Sequence, residues 1–404
     1  MKTGRGLFLA RSASVPAVRT LLLGSTLALT LLPSNIPAAA IPLLASEWGA
    51  SNAALGWVVG AHLLGYSLAV LIVLPLTDRF GPRPIVVTGA LVAGLSSLAL
   101  PIFAHDVTAA VVTRLAAGVG LAGVYMPGVR IIASTVDPRA RGAAVGLFVA
   151  SFYAGSSLSF LYAGLVIGPD AGWREAALTS AALACLAPIL ALPASRGVAA
   201  ARARGVLDVS VVRDGPLFRT IAAYSGHAWE LFAMRGWLAA FLAAALVAQG
   251  ASAVGATAEA GRWSALILGA GIPAVFIGAW ISDRLGRART AITGGLASGA
   301  IGLVYGGLGG IAWPLLIAVG FAYSALIAAD SAVYSTRVTE LAPHARVGSA
   351  QAIQAFSGFA VGAVAPVVAG LALDAGLGFG GAFAVAGAAS IVGCAPLALD
   401  LRSR

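Results

Sequence analysis

Twelve long apolar runs divide this chain, and they constrain its fold more than any other feature. A helix needs about 20 mostly apolar residues to cross a bilayer, and a backbone in lipid must satisfy its own hydrogen bonds. Each run is therefore predicted to be a membrane-spanning helix. The runs are Val18–Ala45, Ala53–Leu76, Pro84–Ala104, Thr108–Ala133, Gly142–Ile167, Ala176–Leu192, Leu217–Leu246, Gly261–Ile281, Thr290–Leu308, Ile311–Tyr334, Val347–Leu371 and Phe379–Leu399.

The composition excludes a soluble protein. Only 10% of the residues are charged and 59% are apolar, whereas a soluble domain carries about 25% charged residues. The formal net charge of +10 does not indicate nucleic-acid binding, because the basic residues form short clusters without interleaved aromatic residues. Cys185, Cys394 and four scattered histidines form neither a disulfide framework nor a metal-ligand pattern, so we expect no metal and no cofactor.

Charge placement predicts the topology. With the N-terminus inside, the basic residues fall at the cytoplasmic side except for Arg174 and Arg262 outside and Arg114 and Arg235 within helices, as the positive-inside rule requires. The clearest polar break lies in the middle of the chain. We expect an N-terminal six-helix half over 1–193, a cytoplasmic linker over 194–216 and a C-terminal six-helix half over 217–404, with both termini cytoplasmic.

The first basic residues and the apolar run after them also resemble a secretory signal peptide. Cleavage would leave eleven spans and would break the correspondence between the halves. We therefore interpret this stretch as the first span.

Two polar motifs each occur twice in the sequence, with the same separation between the copies. Asp78-Arg79-Phe-Gly81-Pro-Arg83 follows the second run, and Asp283-Arg284-Leu-Gly286-Arg287 follows the eighth, 205 positions later. Arg141 and Arg346, after the fourth and tenth runs, are also 205 positions apart. This repeat indicates an internal duplication, and duplicated transporters bind their solute near the midplane between the repeats.

The doubled D-R-x-G motif and the twelve spans resemble the major facilitator superfamily (MFS) of secondary transporters over nearly the whole chain. Arg114-Leu-Ala-Ala-Gly118 is similar to the R-x-x-x-G motif of the family. The resemblance implies an all-α membrane protein with two pseudo-symmetric six-helix bundles, working by alternating access. The Gly-Pro pair typical of drug–proton antiporters in the fifth helix is replaced by Ser159-Phe160.

The loop motifs are candidates for a gate. A carboxylate among arginines accepts charge-assisted hydrogen bonds, which would hold the halves together on the cytoplasmic side. The alternative is that the motifs only shape the loops. The candidate gating residues are Asp78, Arg79, Gly81, Arg83, Asp283, Arg284, Gly286 and Arg287.

Ionisable residues inside a span by default mark function. Glu230 and His227 lie within about 60° of each other on the seventh helix, close enough to hydrogen-bond. Burial favours the neutral form of a carboxyl group, so Glu230 is the candidate proton-coupling residue, with His227 modulating it. Alternatively, the two form a polar pair that holds the helix to a neighbour.

The candidate substrate-binding residues are Arg114, Arg235, Asn35, His62, Tyr66 and Trp229. A guanidinium group binds a carboxylate with two hydrogen bonds, so Arg114 and Arg235 are candidate anion contacts. The alternatives are proton transfer or an acidic partner for Arg114, and a partner on another helix for Arg235. Asn35 lies between Pro33 and Pro37, where the prolines bend the first helix. Packing is the alternative for Asn35, His62, Tyr66 and Trp229. For Asp330, pairing with a cytoplasmic arginine is the main alternative to a role in the site.

The sequence thus predicts a secondary transporter that couples a small polar or anionic organic solute to protons, and not an enzyme. The alternatives are a proton-driven multidrug efflux antiporter and a receptor that has lost transport. We expect partners limited to the solute, protons and the lipid bilayer, without nucleic acid, and a monomer. Arginine in place of lysine is typical of a bacterial genome rich in GC, so the expected location is the bacterial inner membrane.

Overall fold

The computed structural model describes residues 3–198 and 208–402, and we call these two stretches the first and second half. The first half is a series of helices connected by short turns. They are α1 (Thr3–Leu31), α2 (Ile36–Ala39), α3 (Ile41–Trp48), α4 (Asn52–Phe80), α5 (Pro82–Phe103), α6 (Val107–Thr135), α7 (Pro138–Val166), α8 (Trp173–Ala184) and α9 (Ala187–Ala194).

The second half begins with a short 3₁₀ helix, Val209–Arg213, and is again helical. Its helices are α10 (Gly215–Ala248), α11 (Ala253–Gly269), α12 (Gly271–Leu285), α13 (Arg287–Tyr305), α14 (Trp313–Leu341), α15 (Val347–Asp374), α16 (Gly378–Cys394) and α17 (Leu399–Arg402). Part of the predicted linker, residues 199–207, lies outside the described residues.

The predicted all-α membrane fold is confirmed. Within the described ranges, eleven helical segments are long and apolar enough to span a membrane, and the shorter apolar helix Ala17–Leu31 belongs to the first predicted run. Four of these segments combine shorter helices end to end, for example α8 with α9 and α11 with α12. Every predicted run therefore corresponds to a helical segment.

The first run is broken in the way its prolines predict. α1 ends at Leu31, and α2 and α3 each begin with a proline in the first turn, Pro37 and Pro42. Proline has no N–H to donate, so it fits the start of a helix better than its middle. The break at Asn35 is held by α7, because the Asn35 backbone N–H donates to Ser159 Oγ at 2.9 Å.

The ends of the helices define two faces. We call the end where α4 meets α5 and α12 meets α13 the DRxG face, and the opposite end the far face. At the far face the two halves contact each other closely. Asp374, at the end of α15, accepts hydrogen bonds from the backbone N–H groups of Asn52 and Ala53, both at 2.9 Å. Arg262 Nε donates to the Gly164 carbonyl at 2.8 Å.

Glycines permit the close approach of α4 and α15 in this far-face contact. A Cβ atom on Gly60 would overlap the carbonyl oxygen of Ala363, and one on Gly56 would crowd the backbone of Pro366. Small residues at helix interfaces let membrane helices pack backbone against backbone. The far face is therefore closed by main-chain contact, and the space between the halves lies nearer the DRxG face.

Candidate functional site

A small buried pocket lies between the halves near the middle of the helices. Its volume is about 30 Å³, room for about one water molecule. The polar side chains that line it come from α4, α6, α7, α10 and the break after α1. They are Ser34, Asn35, His62, Arg114, Ser156 and Arg235.

Arg114 reaches this pocket from α6 of the first half. Its side chain is 4% exposed, and its Nε donates to the Val58 carbonyl of α4 at 3.2 Å. His62 is in electrostatic contact with Arg114, and neither ring nitrogen of His62 has a hydrogen-bond partner among the described residues. The first half thus contributes a buried cation and an unsatisfied imidazole.

Arg235 reaches the same pocket from α10 of the second half and is 6% exposed. Its guanidinium carbon lies 5.8 Å from the ring centre of Tyr153 and 5.6 Å from that of Phe232. These are cation–π distances. Among the described residues no carboxylate lies within ion-pair distance of Arg235, and its Nε has no partner.

A larger cavity of about 460 Å³ continues from Arg235 toward the DRxG face. It extends to Gly142 and Gln351, which are exposed and lie about one turn from the starts of α7 and α15. Its wall is rich in aromatic side chains from both halves. They are Tyr125, Phe152, Tyr153, Tyr224, Phe232, Phe276 and Phe359.

His227 lines this cavity and pairs with an acidic residue of another helix. Its Nδ1 lies 2.8 Å from Asp330 Oδ1 of α14, and its Nε2 lies 3.0 Å from Ser331 Oγ. Ser331 Oγ in turn lies 2.9 Å from the hydroxyl of Tyr153 in the first half. A continuous chain of polar groups therefore connects Asp330 to the cavity and to α7.

Glu230 faces away from the cavity. It is fully buried, and its Oε2 accepts a hydrogen bond from Ser298 Oγ of α13 at 2.7 Å. The predicted hydrogen bond between His227 and Glu230 is not formed, because His227 turns toward α14 while Glu230 turns toward α13; the two residues interact only electrostatically. The alternative partner expected for Asp330, a cytoplasmic arginine, is also wrong, since its ion-pair partner among the described residues is His227.

The D-R-x-G motifs shape the DRxG face. Gly81 and Gly286 have φ of 79° and 89°, a conformation that only glycine adopts easily, and each joins two consecutive helices. Arg287 Nη1 lies 2.5 Å from Asp283 Oδ1, and Nη2 lies 3.1 Å from Glu340 Oε1. These contacts lie within the second half.

The other motif residues are more exposed. Arg79 lies over the Phe80 ring at 5.0 Å and Arg284 over the Trp280 ring at 3.6 Å, while Arg83 is exposed. The side chain of Asp78 lies outside the described residues.

Comparison with known proteins identifies the family. A family model described as Major Facilitator Superfamily matches residues 23–275, more than half of the chain. The chain belongs to the major facilitator superfamily.

Two curated MFS relatives and one solved structure are informative. The chain is 32% identical over 170 residues to the 4-hydroxybenzoate transporter PcaK of Pseudomonas putida, covering 41% of this chain and 37% of the relative. It is 34% identical over 167 residues to a gallate transporter of Pseudomonas putida, covering 40% and 36%. The match thus spans little more than a third of these relatives.

The solved structure is a bacterial homologue of the human lysosomal transporter Spinster, with a TM-score of 0.74. The identity is 14%, and 95% of each chain is covered. This likeness shows the shared MFS fold.

The MFS fold brings some of the predicted substrate-binding residues together and leaves others apart. Asn35, His62, Arg114 and Arg235 line one pocket. Tyr66 is fully buried and packs on Phe359 with ring centres 4.3 Å apart. Trp229 packs against the second-half cluster of Ala233, Ala365 and Ala386.

The sequence reasoning missed Tyr153, Ser331 and Glu340. Serine and tyrosine are common in membrane helices, so only the fold reveals that two of them link His227 to the first half. Glu340 could have been predicted, because it is an acidic residue near the DRxG end of α14, where it can pair with a motif arginine. Within the described ranges, no group of three or more His, Cys, Asp or Glu residues is arranged to hold a metal ion.

Proposed function

We propose that this MFS protein is a proton-coupled secondary transporter of small organic acids. The observation that carries the proposal is the pair of buried arginines, Arg114 in the first half and Arg235 in the second, on one pocket between the halves. A buried cation without an anionic partner is costly. A substrate carboxylate would supply that partner and bind with charge-assisted hydrogen bonds.

The cavity wall supports aromatic acids as the substrate class. The aromatic side chains around Arg235 offer an apolar surface for a ring whose carboxylate contacts the guanidinium group. The transporters of 4-hydroxybenzoate and gallate among the relatives carry acids of this kind. Two buried arginines disfavour the cationic drugs that a multidrug antiporter would carry.

Alternating access is supported by the asymmetry of the two faces. The halves are closed at the far face and leave a cavity toward the DRxG face, so the structure corresponds to one end state of a rocking motion. We assign the DRxG face and both termini to the cytoplasm of a bacterium, on the basis of the basic residues. We also propose that residues 1–193 and 217–404 are the two bundles that move, and that residues 194–216 are the linker between them.

The gate is proposed at the D-R-x-G motifs. In this cavity-open state Arg287 pairs with Asp283 and Glu340 of its own half. Closing the DRxG face would bring the motif residues of the two halves together and exchange these contacts.

The test uses purified protein in proteoliposomes with a pH-sensitive dye and three probes: 4-hydroxybenzoate, the uncharged 4-hydroxybenzyl alcohol and the cation ethidium. We expect uptake of 4-hydroxybenzoate with one proton and no uptake of the alcohol. Arg235→Gln and Arg114→Gln each remove hydrogen bonds between an arginine and the substrate carboxylate. Such bonds are worth about 2 kcal/mol, so we expect the affinity for 4-hydroxybenzoate to fall roughly 30-fold in each variant. Arg213→Gln, at an exposed position, is the matched control and should transport normally.

Transport of ethidium in exchange for protons would contradict the organic-acid proposal and favour drug efflux. Equal transport of the acid and the alcohol would contradict the role of the arginines.

A further inference from the structure

We propose that His227 and Asp330 form the proton-binding site of this transporter, and that Ser331 and Tyr153 connect it to the substrate cavity. This inference rests on the proposed function, because a coupling site has meaning only if an acid is transported with a proton. It assigns the proton to a carboxylate of α14 and not to Glu230.

The His227–Asp330 pair is buried, and the Asp330 carboxylate has no permanently charged partner. His227 is 2% exposed and Asp330 is 1% exposed. No arginine or lysine of the described residues lies within ion-pair distance of Asp330, and neither of its carboxylate oxygens has a hydrogen-bond partner there. The one ion-pair partner, His227, is positive only when it carries a second proton. A buried charge without a permanently charged partner is costly.

By contrast, the next charged residue of α14 is permanently paired. Arg337 Nη2 lies 2.5 Å from Asp400 Oδ2, two turns from Asp330 toward the DRxG face. Arginine stays charged at every physiological pH, so that pair is suited to structure. Exchange of His227 for an arginine would convert the inner pair into the same kind of contact.

The path to the cavity consists of groups that can both donate and accept. Tyr153, Ser331 and His227 line the cavity, with the distances of 2.9 Å and 3.0 Å between successive groups. A proton from cavity water passes through the hydroxyls of Tyr153 and Ser331 to His227 Nε2, each hydroxyl accepting one proton and donating its own, and the Nδ1 proton passes to Asp330 Oδ1. One proton enters, one O–H bond forms, and the imidazole returns to its neutral form as the other tautomer.

The surroundings couple this site to the substrate. Tyr153 bonds to Ser331 and also faces Arg235, so a carboxylate at Arg235 would lie one side chain from the relay. A negative charge there favours proton binding, and by linkage a bound proton favours the anion. The other titratable or charged groups near the pair are Tyr224, Glu230 and Arg235 on α10, Tyr334 on α14 and Cys394 at the end of α16.

Glu230 is less suited to this role because of its position. Like Asp330, it lines neither the pocket nor the cavity, and its Oε1 has no hydrogen-bond partner among the described residues. Unlike Asp330, it is connected through its Oε2 to Ser298 of α13, which is not a residue of the cavity wall.

The experiment compares two transport modes in proteoliposomes with radiolabelled 4-hydroxybenzoate. Exchange, with the probe on both sides and no gradient, requires substrate binding and alternating access. Uptake driven by a pH gradient also requires proton coupling. We expect Asp330→Asn and His227→Gln to keep exchange, to lose pH-driven uptake at least tenfold, and to make exchange insensitive to pH.

Glu230→Gln is the competing variant. Loss of driven uptake in Glu230→Gln together with normal uptake in Asp330→Asn would overturn the inference. If Asp330→Asn abolishes exchange, Ser331→Ala decides: driven uptake must fall about tenfold with exchange intact, and normal driven uptake would overturn the relay. Absence of exchange in the unmodified protein would instead overturn the proposed function.

Discussion

Asp374 and Asn52 join the two halves at the far face. The carboxylate at the end of α15 accepts hydrogen bonds from the Asn52 backbone and side chain at 2.9 Å and 2.8 Å, and also from the backbone of Ala53. An acid at a helix N-terminus satisfies free N–H groups and interacts favourably with the helix dipole. The contact stabilises the conformation that is closed on this face.

Replacing Asp374 by Ala should therefore favour opening of the far face. A helix cap is worth about 1 kcal/mol, or roughly fivefold in the population ratio. Spin labels on cysteines at Asp170 and Ala251, both exposed near the far face, report the distance between the halves once Cys185 and Cys394 are replaced by Ala. An unchanged distance distribution would show that the contact does not control opening.

Replacing Gly60 by Ala should also favour opening of the far face, but through steric overlap. The new Cβ would overlap the Ala363 carbonyl of the other half, and overpacking costs about 1–3 kcal/mol. The same spin-label pair should report a wider far face.

Gly118 and Gly142 are the matched controls for this substitution. At Gly118 the added methyl would meet the His62 carbonyl within the first half, so we expect a lower melting temperature without a shift in opening. At Gly142 there is open space, and Ala should be neutral. A wider far face in Gly142→Ala would contradict the steric explanation.

Glu47 gives a pH prediction at the end of α3. Burial alone would raise the pKa of its carboxyl, but hydrogen bonds from Trp173 and Arg174 and the charge of Arg174 outweigh this and lower the pKa from 4.5. The ionised form therefore stabilises the fold above pH 4.5, and this contribution is lost as the pH falls through the lower, folded-state value.

Glu47→Gln should accordingly lower the melting temperature at pH 7 by an amount of the order of 1 °C, because the pair is partly exposed. The difference from the unmodified protein should vanish near pH 3. Melting curves in detergent between pH 3 and 7 measure both, with Asp170→Asn as the control. A difference that grows toward low pH would contradict the assigned sign.

Asp283→Asn should slow transport of 4-hydroxybenzoate by about two- to fivefold, as expected for the loss of a surface ion pair. Arg287 would keep Glu340 as its partner, so insertion and expression should not change. Asp78→Asn tests the first copy of the motif in the same way. Initial uptake rates normalised to the amount of protein measure the effect, and rates equal to those of the unmodified protein would exclude a gating role.

The sequence predicted the spans well because lipid leaves the backbone few choices. A run of 20 apolar residues must satisfy its N–H and C=O groups within a helix. Pro33 and Pro37 marked the break in the first span for an equally local reason, since proline cannot donate.

The sites depended on packing between distant segments and were predicted only in part. Helical spacing placed His227 and Glu230 on similar faces, but an angle of 60° was enough to direct them to different neighbouring helices. The partner of His227 is Asp330, which no local pattern could indicate. The convergence of Arg114 and Arg235 on one pocket likewise arises from the way the two halves face each other.

The size of the pocket between Arg114 and Arg235 has a thermodynamic consequence. With about 30 Å³ of space, it is too small for an organic acid, so in this conformation a carboxylate reaches Arg235 from the cavity without also reaching Arg114. Binding is then weaker here than in a state where both arginines contact the ligand. The cavity-open state and the state in which both arginines bind the ligand belong to one thermodynamic cycle. A bound ligand must therefore lower the population of the cavity-open state, relative to the other state, by the ratio of the two affinities. The cargo itself would thus drive the protein out of this conformation, and its release to the DRxG face would be the step at which affinity is lowest.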